Sequence, residues 1–375
     1  MPTSRRVLTC TLGAAWEPAL LRIAEHPAAA LRVEARCGEP GEALGVAMRD
    51  RPDVVVAEDV PGWWDRDAVA RFTELGIAVV VVGDAPPGAR PCDANPEAIV
   101  AAVHDLGGVP VAPPPDEEPT PTGRVTAVWG GHGAPGRTTL AIHLASVYAR
   151  VNDALLFDAD VWSPSIALRL GLVAERGLVH AVRSAAHGTD PLDGAISRRR
   201  DLRVLTGLGR AELWPELREA SFEAVLQAAR RRFAETTVDL AAPIEEDEGL
   251  AFDEVPFRRN LVTRSVLASA DRVLLVVAAD PVGVARGIAA GRLLASELPE
   301  ASRRMEVTIN RATDRRAAVD AVSTLERHLG RPVTTVLPFE AKCDAAQWEG
   351  CTVPEVTRRS AYWSAVGAMA KAVAA

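Results

Sequence analysis

The sequence predicts an α/β protein: a doubly wound, mostly parallel sheet preceded by a smaller α/β domain. Three observations carry this expectation. Short apolar runs alternate with helical patterns along the chain, the mark of successive β-α-β units. Several runs, among them Ile77–Val82 and Val273–Ala279, are continuous rather than alternating, as parallel strands buried on both faces require. Between the two halves lies Val111–Gly123, VAPPPDEEPTPTG, with five prolines and three acids in thirteen residues. Proline fixes φ and removes a donor, so this stretch reads as an extended spacer. It divides the 375 residues into domains at 1–110 and 124–375.

Before the spacer, Arg6–Leu12, Leu31–Ala35, Asp53–Ala57 and Ile77–Val82 read as strands. Pro18–Glu25, Gly41–Arg49, Asp67–Leu75 and Pro96–Leu106 read as helices. Pro52-Asp53-Val54-Val55-Val56-Ala57-Glu58-Asp59-Val60-Pro61-Gly62 resembles the third strand and following loop of a response-regulator receiver domain. A receiver holds Mg2+ with an acidic pair after its first strand, where this chain has Thr11-Leu12-Gly13-Ala14-Ala15. The phosphoacceptor position falls nearest Glu58 or Asp59, and the late lysine is missing around Pro91–Asp93. The resemblance therefore implies a degenerate, receiver-like docking domain without phosphoryl transfer.

After the spacer the expected strands are Arg124–Trp129, Ala154–Asp158, Leu202–Thr206, Thr236–Leu240, Arg272–Ala279, Glu306–Ile309 and Val333–Leu337. Helices lie between them, Thr138–Arg150 being the first. In a doubly wound sheet the ligand sits beyond the carboxyl ends of the strands.

Composition narrows the function. Apolar residues make up 48% and charged residues 25%, which is globular rather than disordered. With 42 basic and 50 acidic residues the net charge is −8, the opposite of a uniformly basic nucleic-acid binder. Five scattered cysteines show no metal-ligand spacing and fit reduced thiols in the cytoplasm. The apolar runs fall far short of the roughly 18–20 residues that span a bilayer, so no integral membrane segment is expected. The start of the chain reads as a first strand over Val7–Leu12 rather than as a secretory signal.

Directly after the strand Arg124–Trp129 comes Gly130-Gly131-His132-Gly133-Ala134-Pro135-Gly136-Arg137-Thr138-Thr139. It fits G-x-x-x-x-G-K-[ST] with Arg137 in place of the lysine. Glycines let successive N–H groups turn inward around phosphate oxygens, and a helix starting near Thr138 adds its positive dipole end. The Thr138 hydroxyl is placed for Mg2+.

Further motifs follow in order: Leu155-Leu156-Phe157-Asp158-Ala159-Asp160, Val238-Asp239-Leu240-Ala241-Ala242-Pro243, Ala270-Asp271 before an apolar strand, Ile309-Asn310-Arg311, and Leu337-Pro338-Phe339. Together with the loop, this series resembles the ParA/MinD family of P-loop ATPases over nearly all of the second domain. The resemblance implies ATP and Mg2+ as cofactors. Gly131, His132, Gly133, Ala134, Pro135, Gly136, Arg137, Thr138 and Thr139 would hold the phosphates, with Asn310, Arg311 and Pro338 about the base. Thr138, Asp160 and Asp239 would bind Mg2+, and Asp160 with Arg137 would carry catalysis. It also implies a nucleotide-dependent homodimer.

Two departures bear on activity. The family's signature lysine, which reaches across a dimer, is here His132, and its ordinary loop lysine is Arg137. Arginine keeps its charge but is planar and bulkier than an ammonium, and imidazole is mostly neutral near pH 7. A weak ATPase or pseudo-ATPase is expected. An acidic stretch, Glu245–Glu254, follows the Asp239 motif and reads as a solvated loop or a modifier of partner docking.

A receiver-like domain joined to such an ATPase looks like the CpaE/TadZ group, which localises Tad (Flp) pilus or secretion machinery. That implies partners among pilus, secretion or polar-localisation proteins, and a cytoplasmic chain recruited to the membrane or cell pole. Two alternatives are a ParA-like partition ATPase and a MinD-like septum-site protein. The first would bind DNA through arginine clusters at 198–200, 230–232, 258–259, 303–304, 315–316 and 358–359. The second needs an amphipathic membrane helix, and the tail Ala361–Ala375, with one lysine among small apolar residues, promises little membrane affinity.

Overall fold

The computed structural model describes residues 4–106, 123–245 apart from positions 134 and 175, and 258–371. The spacer up to Thr122 and the acidic stretch from 246 onward lie outside the described residues. The chain separates into two compact units.

The first unit runs β1 (Arg5–Cys10), α1 (Glu17–Ala24), β2 (Leu31–Cys37), α2 (Pro40–Asp50), β3 (Val54–Glu58), α3 (Arg66–Glu74), β4 (Ala78–Val82), β5 (Arg90–Cys92) and α4 (Pro96–His104). Its sheet order is β2-β1-β3-β4-β5 with every pair parallel, the flavodoxin-like doubly wound order. Val55, Ala57, Val79 and Val81 point to one face, against Leu44, Val69 and Phe72, while Val54, Val56 and Val80 point to the other, against Leu20, Ile99 and Val103. Two apolar faces explain the unbroken valine runs. Side-chain caps fix the helix starts: Asp65 accepts from the Ala68 N–H and Asn95 from the Glu97 N–H, both at 2.9 Å. β5 has no counterpart among the expected strands. Three residues containing Pro91 are too short to show a period, and proline sits there at a sheet edge.

The second unit runs β6 (Arg124–Trp129), α5 (Arg137–Tyr148), β7 (Ala154–Ala159), α6 (Ile166–Arg169), α7 (Leu178–Ala186), β8 (Ile196–Arg199), β9 (Leu202–Leu205), α8 (Glu219–Arg232) and β10 (Glu235–Leu240). It continues with α9 (Leu261–Ser269), β11 (Arg272–Ala278), α10 (Pro281–Glu297), α11 (Pro299–Arg303), β12 (Met305–Ala312), α12 (Arg315–Leu329), β13 (Val333–Pro338), α13 (Lys342–Trp348), α14 (Val353–Val356) and α15 (Ala361–Lys371). The sheet order is β13-β12-β11-β6-β10-β7-β9-β8, with only β8–β9 antiparallel. β8 was not expected, because arginines at 198 and 199 mask any strand pattern. β12 runs past the expected end at Ile309 and carries Asn310 and Arg311 within its last turn of ladder.

β6, β10 and β7 lie at the centre of the sheet, and their carboxyl ends are level. Asp239 of β10 stands opposite Val128 of β6 on one side and opposite Asp158 of β7 on the other. Helix α5 is buried almost all round by Leu140, Ala141, Leu144 and Ala145, so it leaves the sheet in a fixed direction. Tyr362, Val366 and Met369 of α15 join the same core, which places the apolar side of the tail inside the fold. No described helix is long and apolar enough to cross a membrane.

Candidate phosphate-binding site

Trp129 ends β6, fully buried, its indole N–H donating to the Ala242 carbonyl at 3.1 Å. The chain then turns sharply and enters α5 at Arg137. Gly133 and Gly136 have φ of +101° and +94°, values that L side chains rarely adopt. A Cβ at Gly130 would strike the Val276 carbonyl of β11, and one at Gly136 would strike the Asn310 amide. The glycines are therefore required by neighbours pressing on the loop from behind. Asn310 is the main brace: its Nδ2 donates to the Pro135 carbonyl at 2.9 Å, and its Oδ1 accepts the Arg311 N–H at 2.9 Å. Arg311 takes a left-handed φ of +60° at this point. The amide of Asn310 is thus committed to the phosphate loop.

The cations are arranged differently from the sequence expectation. Arg137 does not extend from the loop. Its Nη1 folds back and donates to the carbonyls of Gly130 at 2.5 Å and Gly131 at 3.1 Å, satisfying two acceptors of the loop itself. His132 is exposed. Beside it lies a residue that sequence reasoning missed: Arg286, on α10, rests its guanidinium against Gly133, where any Cβ would collide with Nη1. No linear motif marks it, because Arg286 lies far along the chain and reaches the loop only through β11 packing beside β6.

Three carboxylates stand at the strand ends. Asp158, Asp160 and Asp239 are all buried. Asp158 Oδ2 accepts the N–H groups of Ser165 and Ile166 at 3.1 and 3.0 Å, and Oδ1 accepts that of Asp160 at 3.3 Å. Asp160 Oδ1 caps the next turn, accepting from Trp162 and Ser163 at 2.9 and 2.8 Å. Asp239 differs: neither carboxylate oxygen has a hydrogen-bond partner of normal geometry. Burial pushes its pKa well above the usual carboxylate range, Asp158 adds to the rise, and the nearby Thr138 hydroxyl and Arg137 oppose it. Burial likewise raises Asp158, with the Ile166 N–H opposing and Asp160 reinforcing.

An orphaned buried carboxylate costs stability unless something meets it. The half-buried Thr138 hydroxyl and the Asp239 carboxylate form a hard oxygen donor set suited to Mg2+. Among the described residues no three His, Cys, Asp or Glu side chains converge as a metal cage. Mg2+ needs none, since it is held by one or two protein oxygens, phosphates and waters.

The segment after Asp160 is locked to the residues beyond the acidic stretch. Arg259 stacks on the Trp162 ring at 3.7 Å, and the Trp162 indole donates to Asn260 Oδ1 at 3.1 Å. Pro338 closes β13 opposite Ala312, on the far side of Asn310 from the loop. Of the expected site residues, Gly131–Gly133, Pro135–Thr139 and Asn310 are brought together, with Asp239 behind them; Ala134 lies outside the described residues. In the first unit Glu58 Oε2 accepts the Leu12 N–H at 2.7 Å and Asp59 Oδ2 the Asp84 N–H at 3.1 Å, so both carboxylates serve the backbone.

No protein-family model and no curated protein matches this sequence. Solved structures do resemble it. The cell division ATPase MinD of Pyrococcus furiosus is 18% identical with a TM-score of 0.53, covering 67% of this chain and 98% of its own. A ParA family ATPase from Chlorobium tepidum is 17% identical with a TM-score of 0.57, covering 66% and 98%. The septum site-determining protein MinD of Pyrococcus horikoshii, complexed with Mg-ADP, is 17% identical with a TM-score of 0.53, covering 67% and 95%. At such identities the likeness is one of fold. The chain has the mostly parallel α/β fold of the MinD/ParA P-loop NTPases.

Proposed function

We propose that the second unit binds ATP with Mg2+ at Gly131–Thr139. The chain then acts as a nucleotide-dependent positioning protein of the CpaE/TadZ-like kind, with slow or absent hydrolysis. The observation that carries the reading is the pairing of a glycine loop, braced by Asn310, with the unpartnered, buried carboxylate of Asp239 behind its helix start. The loop supplies inward N–H groups and a helix dipole for phosphates. Thr138 and Asp239 would hold Mg2+, which when bound would supply neutralisation of phosphate charge. The fold shared with MinD and ParA ATPases supports the general positioning role, and the first unit, with its flavodoxin-like sheet and occupied Glu58 and Asp59, is consistent with receiver-like docking.

DNA partition is favoured less. Several arginines that would make a DNA face are spent inside the second unit. Arg230 donates to Gly123, Ser269 and Asp271, Arg304 to Ala268, and Arg199 and Arg200 pair with Glu355. The test is titration of the full chain with a fluorescent ATP analogue, with and without Mg2+. Saturable binding strengthened by Mg2+ is expected; no binding in either condition overturns the nucleotide reading.

A further inference from the structure

We infer that Arg286 is the cation that meets the nucleotide's terminal phosphates at this loop, in place of the two lysines the sequence lacks. The inference rests on the nucleotide-binding reading and names a residue that neither the motif series nor the fold assigns.

Neither loop cation is free for the task. Arg137 is turned onto the carbonyls of Gly130 and Gly131, and His132 is an exposed imidazole with no fixed positive charge. Arg286 is placed where both fail. Helix α10 starts at Pro281 and is capped by Asp280, which accepts the Gly283 N–H at 2.8 Å. Its second turn lies so close to the loop that a Cβ on Gly131 would sit 3.1 Å from the Arg286 carbonyl. The side chain then crosses Gly133, whose missing Cβ leaves the space that Nη1 occupies. Between helix and loop is an opening of about 40 Å3 bordered by Gly131, His132, Gly133, Pro135, Asp280 and Arg286.

Charge completes the argument. Among the described residues the Arg286 guanidinium makes no hydrogen bond or ion pair, and it is exposed. A permanent cation is held against Gly133, in the loop that leads into the positive end of α5. Such an arrangement is relieved by an anion of high charge, and a guanidinium fork suits phosphate oxygens better than any other side chain here. The contact would belong to the β- and γ-phosphates, which the cation of a loop of this kind reaches.

The experiment compares full-length wild type, Arg286→Gln, Arg286→Lys and Arg292→Gln, titrated with ATP and with AMP in Mg2+. Arg292 lies further along the same helix, exposed, and its loss makes the same change in net charge. Loss of one charge-assisted contact predicts about ten- to a hundredfold weaker ATP binding by Arg286→Gln. Arg286→Lys should recover part of it, and Arg292→Gln should match wild type. AMP affinity should be unchanged in all four. Far-ultraviolet circular dichroism establishes that each variant is folded. Wild-type ATP binding with Arg286→Gln unaltered overturns the Arg286 assignment alone, as does equal weakening by Arg292→Gln. Absence of ATP binding by wild type overturns the nucleotide site and the assignment together.

Discussion

His143 Nε2 accepts the Val353 N–H at 3.1 Å, which ties the helix behind the phosphate loop to the C-terminal segment. A backbone N–H can only donate, so Nδ1 carries the ring proton and gives it to the Thr139 carbonyl at 2.7 Å. Tyr362 packs edge-on at 5.4 Å. The imidazole is neutral by construction, and burial lowers its pKa from the ordinary 6.5 to about 4. A histidine depressed in the fold contributes stability that is complete above its unfolded pKa and is lost as pH falls through the window from 6.5 to 4. Melting temperature should fall by several degrees over that window in wild type and by less in His143→Gln, measured by thermal denaturation at pH 7, 6, 5 and 4. Parallel curves would remove His143 from the acid response.

Asp239→Asn should stabilise the protein without nucleotide. The carboxyl's folded pKa is raised by burial, so wild type loses stability as pH rises from the ordinary carboxylate range and regains it on acidification. The variant should be more stable than wild type at pH 8, by about 1–3 kcal/mol of unpaired-group cost in urea unfolding, and the gap should shrink toward pH 4. The same variant should bind ATP without the strengthening by Mg2+. A destabilised Asp239→Asn at pH 8 would contradict the orphaned-carboxylate reading.

Asn310→Ala removes the Pro135 contact while leaving the loop sequence whole. A lost neutral hydrogen bond predicts about 0.5–1.5 kcal/mol less stability in urea. ATP affinity should fall about tenfold, because the N–H groups of an unbraced loop must be ordered at binding. Unchanged affinity would mean that the glycines alone hold the loop.

Steady-state phosphate release should be slow in wild type and faster in the His132→Lys, Arg137→Lys double variant. Lysine at 137 restores the compact ammonium that a planar guanidinium cannot reproduce, and one restored preorganised donor is worth on the order of 10²–10³ in rate. Equal rates would replace the positioning scaffold with an ordinary ATPase cycle.

The first unit should take up no phosphate. With Glu58 engaged by Leu12 and Asp59 by Asp84, acetyl phosphate and Mg2+ should leave the intact mass of the full chain unchanged. Stoichiometric addition at either residue would reverse the assignment.

Fold class was legible because buried parallel strands need unbroken apolar runs, and Val54–Ala57, Ala78–Val82 and Arg272–Ala278 announce themselves that way. The loop was legible for a similar reason: φ near +90° at Gly133 and Gly136 leaves glycine as the usual choice. The directions of side chains were not. Nothing along the chain says that Arg137 curls onto carbonyls or that Asp160 caps a turn while Asp239 stays bare. Arg286 was hidden altogether, since its meeting with Gly133 depends on α10 lying over the loop. Short elements such as β5 and β8 were lost because three or four residues, with Pro91 or Arg198 among them, display no period.

The borders of the larger sheet bear on how copies of this chain can meet. On one side lies β8, four residues long, carrying Arg198 and Arg199; on the other β13 runs out at Pro338, which has no N–H to offer. A short rim carrying arginines and a rim ending in proline both disfavour a further strand, so addition to this sheet is disfavoured at both borders.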